Sequence, residues 1–129
     1  MLAPPFFSRW VRGPAVDHDG PVVVSVTDYA PHRRRDIPVI TTTGLLLSLG
    51  WWAMPGAVGL TLWSVPHRGH SGSVSVWQTE EDLRRFVGLP RHREIMRRYR
   101  DRGRLRSTSW WAERFERRDV FAQARDWIA

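Results

Sequence analysis

The stretch Ser73–Gly103, SVSVWQTEEDLRRFVGLPRHREIMRRYRDRG, decides the fold. It opens with strict alternation of serine and valine ending in Trp77, the period of a strand with two unlike faces. Thr79 follows, and Glu80, Glu81 and Asp82 come next: a helix N-cap with acidic residues where the backbone dipole favours them. Leu83, Phe86 and Val87 make one apolar stripe. Gly88-Leu89-Pro90 predicts a kink, after which His92, Ile95, Met96 and Tyr99 continue the stripe at helical spacing. The arginines crowd toward the C-terminal end, as the dipole prefers.

Upstream, His67–Gly72 (HRGHSG) is a polar turn and Ala57–Val65 (AVGLTLWSV) a strand, so two strands form a hairpin. Pro55-Gly56 ends a helix expected from about Ile37 to Met54, with Asp36 as N-cap and Pro38 in its first turn. Three threonines and two glycines weaken that helix. Burial of Ile40, Leu47 and Trp51, with Leu45, Leu49 and Trp52 beside them, has to carry it. Val22–Tyr29 (VVVSVTDY) is a first strand. Downstream, Leu105–Phe115 is a fourth strand, and Asp119–Ala129 a closing helix with Val120, Phe121, Ala124 and Trp127 on its apolar side.

Residues 1–20, rich in proline and glycine, are expected to form an irregular arm packed down by Phe6, Phe7 and Trp10, and residues 21–129 one domain. The order β-α-β-β-α-β with a tail helix is the ferredoxin-like α+β layout. One copy leaves a sheet face without helices, and eight tryptophans need housing. A homodimer in which two sheets close into a dimeric α/β barrel is therefore expected.

The chain has 129 residues and no cysteine, which excludes disulfides, thiolate chemistry and cysteine-ligated zinc. All 20 basic residues are arginine and the net charge is +7. Ten arginines lie between Arg84 and Arg106, predicting one basic helix surface, yet no nucleic-acid motif accompanies them. Nucleic acid is not an expected partner, and polyanion binding through that helix stands as an alternative function. From Ile37 to Val65 no residue is charged, and Arg33, Arg34 and Arg35 precede the run. Pro55-Gly56 and the threonines interrupt it, so a buried helix, turn and strand are expected, with no membrane partner. The opening MLAPPFFSRWVRG lacks a signal-peptide layout, and a cytoplasmic location is expected.

The site residues follow from the periodicity. His92 stands on the inward stripe one turn from Met96 and two from Tyr99. A neutral imidazole there can ligate heme iron or exchange a proton with a substrate. A histidine satisfied by a backbone carbonyl or water is the alternative. In the third strand Val74 and Val76 point one way, Ser73, Ser75 and Trp77 the other. If the valines pack on the helices, Trp77 faces the open side, where Thr61 and Trp63, or Leu60 and Leu62, of the second strand can join it against a flat aromatic ligand or across a dimer interface. The candidate site is thus His92 as catalytic residue, with Trp77, Trp63, Tyr99 and Met96 holding the ligand. Asp28 and Tyr29 end the first strand, bordering the pocket or simply turning the chain. His67 and His70 lack a third ligand, so no metal site is expected. No nucleophile elbow, P-loop or dinucleotide glycine pattern occurs.

The block VSVWQTEEDLRRFVGLPRHREIMRRYRDRG resembles the third-strand and second-helix signature of the dimeric α/β-barrel superfamily, and Pro55–Gly59 its turn into the second strand. The likeness covers roughly Val22 to Phe115. It resembles uncharacterised actinobacterial proteins related to antibiotic-biosynthesis monooxygenases and, more distantly, spheroidene-monooxygenase-like proteins. The resemblance implies an oxidoreductase of monooxygenase type with either no cofactor or heme, acting on an aromatic or heme-like molecule. It also implies that Trp77 matches the strand-end tryptophan and His92 the helix histidine that ligates iron in the heme-degrading branch. That branch has an asparagine on the first strand, where this chain has Ser25, Thr27 and Asp28. A non-enzymatic dimer with a vestigial pocket is the remaining alternative.

Overall fold

A computed structural model describes residues 5–129. Two short strands, β1 (Phe6–Phe7) and β2 (Val11–Arg12), precede β3 (Val22–Pro31) and α1 (Ile37–Ser48). The hairpin strands β4 (Ala57–Val65) and β5 (His70–Trp77) come next, then α2 (Glu80–Val87), α3 (Pro90–Tyr99), β6 (Gly103–Ala112) and α4 (Arg117–Ile128). The main strands lie in the order β4-β5-β3-β6, all antiparallel, and β1 and β2 pair along the outer edge of β4. This is the ferredoxin-like α+β fold.

Local chemistry sets the boundaries. The Thr79 hydroxyl accepts the Asp82 N–H at 3.1 Å and starts α2. Gly88 and Pro90 divide α2 from α3. The first helix is shorter than expected: it ends at Ser48, and one 3-10 turn at Trp51–Ala53 follows Gly50. Asp36 does not cap it, because the 3-10 turn Arg34–Asp36 runs straight into the helix and holds Asp36 in a helical conformation. Pro55-Gly56 then makes a tight turn into β4, with Gly56 at φ +75 and the Ala57 N–H donating to the Met54 carbonyl at 3.1 Å.

The sheet has a closed face and a partly open one. On the closed face Val22, Val24, Val26, Val58, Val74 and Val76 are fully buried, each contributing about 2 kcal/mol of transfer free energy. They pack under Val120, Phe121, Ala124 and Ile128 of α4 and under Phe7 and Trp10 of the arm. Phe7 stacks on Phe121 at 5.1 Å and Trp10 on Phe115 at 5.0 Å. Trp10 lies flat over Gly59, where a Cβ would run into its indole. The expectation that one sheet face carries no helix is therefore overturned: α4 and the arm cover it from within the chain. The helices α1 and α2 lie on the other face, where Trp51, Trp77 and Phe86 pack with ring centroids 5.0–5.3 Å apart. The valines of β5 thus face α4, and Ser73, Ser75 and Trp77 face the helices, the reverse of the expected assignment.

Candidate functional site

Antiparallel register lines up the helix-facing residues of β5, β3 and β6 in rows. Trp77, Val23 and Trp111 form one; Ser75, Ser25 and Ser109 the next; Ser73, Thr27 and Ser107 the third; Ser71, Tyr29 and Leu105 the last. The two middle rows are entirely hydroxyl-bearing. Strands about 4.8 Å apart and a two-residue repeat of about 7 Å make this floor roughly 10 Å wide and 7 Å long, the footprint of a small fused-ring molecule. At the β5 side the floor is tied down: Trp77 Nε1 donates to Ser75 Oγ at 2.9 Å, and Thr27 Oγ1 lies 2.8 Å from Ser73 Oγ. Among the described residues the hydroxyls of Ser25, Ser107 and Ser109 make no hydrogen bond. Ser107 and Ser109 are exposed, and Trp111 is 53% exposed beside them.

Helix α3 borders this floor and is pinned at both ends. At one end His92 meets Phe86 at 4.7 Å between ring centroids. At the other Tyr99 meets Tyr29 at 6.3 Å, and the Tyr29 hydroxyl donates to the Tyr99 carbonyl at 2.7 Å. His92 Nδ1 is buried with no hydrogen-bond partner among the described residues. Burial lowers the His92 pKa below its ordinary value, and the Val87 backbone, which makes no well-aligned hydrogen bond to the ring, only partly opposes it. The imidazole is therefore neutral at pH 7. Tyr29 is shifted the other way, first by burial and then by the charges of Asp36 and Tyr99, with Arg102 opposing. It stays a neutral donor.

Of the expected site residues, the structure gathers four and separates one. His92, Met96 and Tyr99 share α3, with Met96 exposed on it. Trp77 is fully buried behind Phe86, so it supports the site from beneath rather than forming a wall. Trp63 lies on the closed face, 2% exposed, donating its indole N–H to the Thr27 carbonyl at 3.0 Å. It cannot touch a ligand that His92 touches. Trp111, Ser25, Ser107 and Ser109 were missed, although the alternation of β6 (STSWW) carries the same period as SVSVW.

Asp28 is not a turn residue. It is 2% exposed on the closed face and accepts from Arg106 Nε at 3.1 Å and Nη2 at 2.7 Å. His70 Nδ1 straddles its two oxygens at 3.2 and 3.4 Å, and only the longer approach has hydrogen-bond alignment. Arg106 also stacks on Trp127 at 4.4 Å. The cluster fastens the end of α4 to the sheet. Of the ten arginines from Arg84 to Arg106 four are ion-paired: Arg84 with Glu80, Arg85 with Asp82 and Glu81, Arg98 with Glu94 and Arg106 with Asp28. A cavity of about 300 Å³ lies between β6 and α4, lined by residues such as Trp110, Glu113 and Gln123, and another of about 170 Å³ beside α1; His92 lines neither. Among the described residues no three of His, Cys, Asp or Glu stand close enough to hold a metal ion.

No known family matches the sequence, and no curated protein does. Solved structures do match the fold. The heme-degrading enzyme LmHde from Listeria monocytogenes is similar with a TM-score of 0.60 at 17% identity, over 80% of this chain and 68% of that one. SnoaB, a cofactor-independent oxygenase from Streptomyces nogalater, is similar with a TM-score of 0.56 at 17% identity, over 74% and 97%. An uncharacterised ferredoxin-fold protein related to antibiotic biosynthesis monooxygenases, also from Listeria monocytogenes, gives 0.53 at 21% identity, over 72% of this chain and 56% of its own length. The chain shares their fold. At these identities that is what the likeness establishes, and chemistry has to come from the site.

Proposed function

We propose that the protein binds a flat, oxygen-bearing aromatic molecule on the hydroxyl floor beside α3 and acts on it as a monooxygenase-like oxidoreductase. The observation that carries this reading is the pair of hydroxyl rows on a sheet face that helices share. Ser25, Ser107 and Ser109 hold free donors and acceptors toward the phenol or carbonyl oxygens of such a ligand. Exposed Trp111 offers a stacking face at the end of the rows. His92 is neutral through burial and half-buried on α3; with Nδ1 buried, Nε2 is the atom that would take a phenolic proton. The deprotonated ring is the electron-rich form that gives electrons to molecular oxygen: one oxygen atom becomes a carbonyl on a ring CH2 carbon and the other leaves as water with that carbon's two hydrogens, so the substrate itself serves as reductant. SnoaB, which is cofactor-independent, supports this reading by fold.

Heme is not fitted by these residues. The first strand presents Ser25 and Thr27 to the helix side, and Asp28 points to the opposite face. The His92 ring lies against Phe86, and its unpartnered Nδ1 is buried away from both cavities. No step is routed through iron.

The test is titration of the protein with a dihydroxyanthraquinone, read by quenching of tryptophan emission. Saturable quenching is expected. Replacing both Ser25 and Ser109 by valine should weaken binding about 30-fold, near 1 kcal/mol per lost hydrogen bond. Binding unchanged in that variant places the ligand elsewhere and removes the proposal.

A further inference from the structure

Helix α1 carries apolar side chains on both its inner and its outer side, and the exposed Thr42 among them turns its hydroxyl back onto the Pro38 carbonyl. Its inner side packs Leu47 into the helix-facing core and brings Gly44 against Leu62. Its outer side leaves Val39, Leu45 and Leu46 about half exposed and Leu49 71% exposed, and Trp52 just beyond is 72% exposed. A helix with apolar side chains on both sides needs an apolar medium on each, and the described chain supplies one.

Charge is organised around the same strip. Arg33, Arg34 and Arg35 are exposed at its N-terminal end. The tip of the β4–β5 hairpin lies at that end too, since Ile37 and Thr41 share the 170 Å³ cavity with Pro66, Gly69 and His70. Exposed His67 and Arg68 therefore join the three arginines. Between Asp36 and Glu80 the chain holds no acidic residue, and Asp36 itself is half-buried.

We propose that α1 and Trp52 dock on an anionic lipid surface, with the apolar strip at the headgroup–acyl boundary and Arg33–Arg35 and Arg68 on the lipid phosphates. The helix is about 18 Å long at about 1.5 Å per residue, too short to cross a hydrocarbon core of about 30 Å. No helix among the described residues is long and apolar enough to span, so docking is peripheral. Trp52 has the residue type that prefers this depth. A second copy packed strip to strip would cover the leucines, but the segment Ile37–Thr79 that carries the strip has no carboxylate to offer the arginines. Anionic lipid meets both needs.

Co-sedimentation with vesicles tests this, using phosphatidylcholine alone and phosphatidylcholine with about 30 mol% phosphatidylserine. Wild-type protein should pellet with the anionic vesicles and be released by raised salt. Replacing Arg33, Arg34 and Arg35 by glutamine should weaken binding about 100-fold, near fivefold per arginine. Leu49→Glu with Trp52→Glu, both at exposed positions, should abolish it while leaving the circular dichroism spectrum unchanged. Wild-type binding that ignores phosphatidylserine, or none at all, overturns the proposal. So does self-association that the glutamate pair abolishes in protein that never pellets with vesicles, which assigns the strip to a second copy.

Discussion

Along β3, Val22, Val24 and Val26 point toward α4 and are fully buried, while Val23, Ser25 and Thr27 point to the other face, where Ser25 and Thr27 stay partly open. The same contrast runs through β5, where Val74 and Val76 alternate with Ser73 and Ser75. One strand sequence thus builds two surfaces of opposite chemistry. The valine face is sealed by α4 and by the aromatic residues of the arm, and it carries the stability of the sheet. The serine face could not be sealed in the same way, because a buried hydroxyl without a partner costs more than the apolar contact it would replace. Its closed part lies under Trp77 and Phe86, where Ser75 has the Trp77 indole as donor. Away from that cluster it opens toward β6, with α3 attached through the aromatic pairs at its ends. The difference separates the part of the sheet that folds the protein from the part free to hold a ligand.

The strongest way to break this contrast is to exchange the chemistry of the closed face. Val76→Ser is expected to lower unfolding free energy by about 3 kcal/mol, about 2 from lost burial and about 1 from an unpartnered hydroxyl. Urea denaturation measures it. A loss under about 1 kcal/mol would mean that water reaches the closed face and that the two sides do not differ.

Much of this was legible in the sequence because it is local. The alternation of SVSVW, the Thr79 cap, the break at Gly88–Pro90 and the strand Ala57–Val65 all appear where their residues predict them. Which side the helices choose was not legible, because period two assigns residues to faces without naming what covers each face. Trp77 made the serine side look as apolar as the valine side. In the second strand the period left two pairs open, Thr61 with Trp63 or Leu60 with Leu62, and the structure selects the second. The register slips between Ala57 and Gly59, so Leu60 and Leu62 join Trp77's face and Trp63 turns to the other. A single extra residue in the strand reverses every side chain beyond it. Asp28, His70 and Arg106 meet across 42 and 78 residues of sequence, and no local pattern announces such a contact.

A smaller effect sharpens the boundary at His92, where the helix side changes from core to site. Burial lowers the folded-state pKa below the unfolded value of 6.5. The unfolded chain then binds the proton more tightly, so stability rises with pH across this window. The contribution is complete above 6.5 and is lost as pH falls toward the folded pKa. The urea midpoint of the wild type should therefore drop further on acidification than that of His92→Gln. Parallel curves would show that the imidazole titrates as it does in water and is no part of a desolvated wall.

The smallest expected effect discriminates most sharply between the faces. Ser109→Val puts on the serine face the residue that the valine face uses throughout. If that region were a dry core, the added methyl groups would be buried and stability would rise by about 2 kcal/mol, or fall if they did not fit. On an open, hydrated floor the change stays within about 0.5 kcal/mol, with a slight gain from strand propensity. Ser109 is exposed and spends its hydroxyl on no neighbour among the described residues, so the near-zero outcome is expected. A near-zero result in denaturation, set beside the large loss for Val76→Ser, would show that side chains on opposite faces of the sheet, two strands apart, answer to different demands. Val76 answers to folding, and Ser109 to whatever lies on the floor above it.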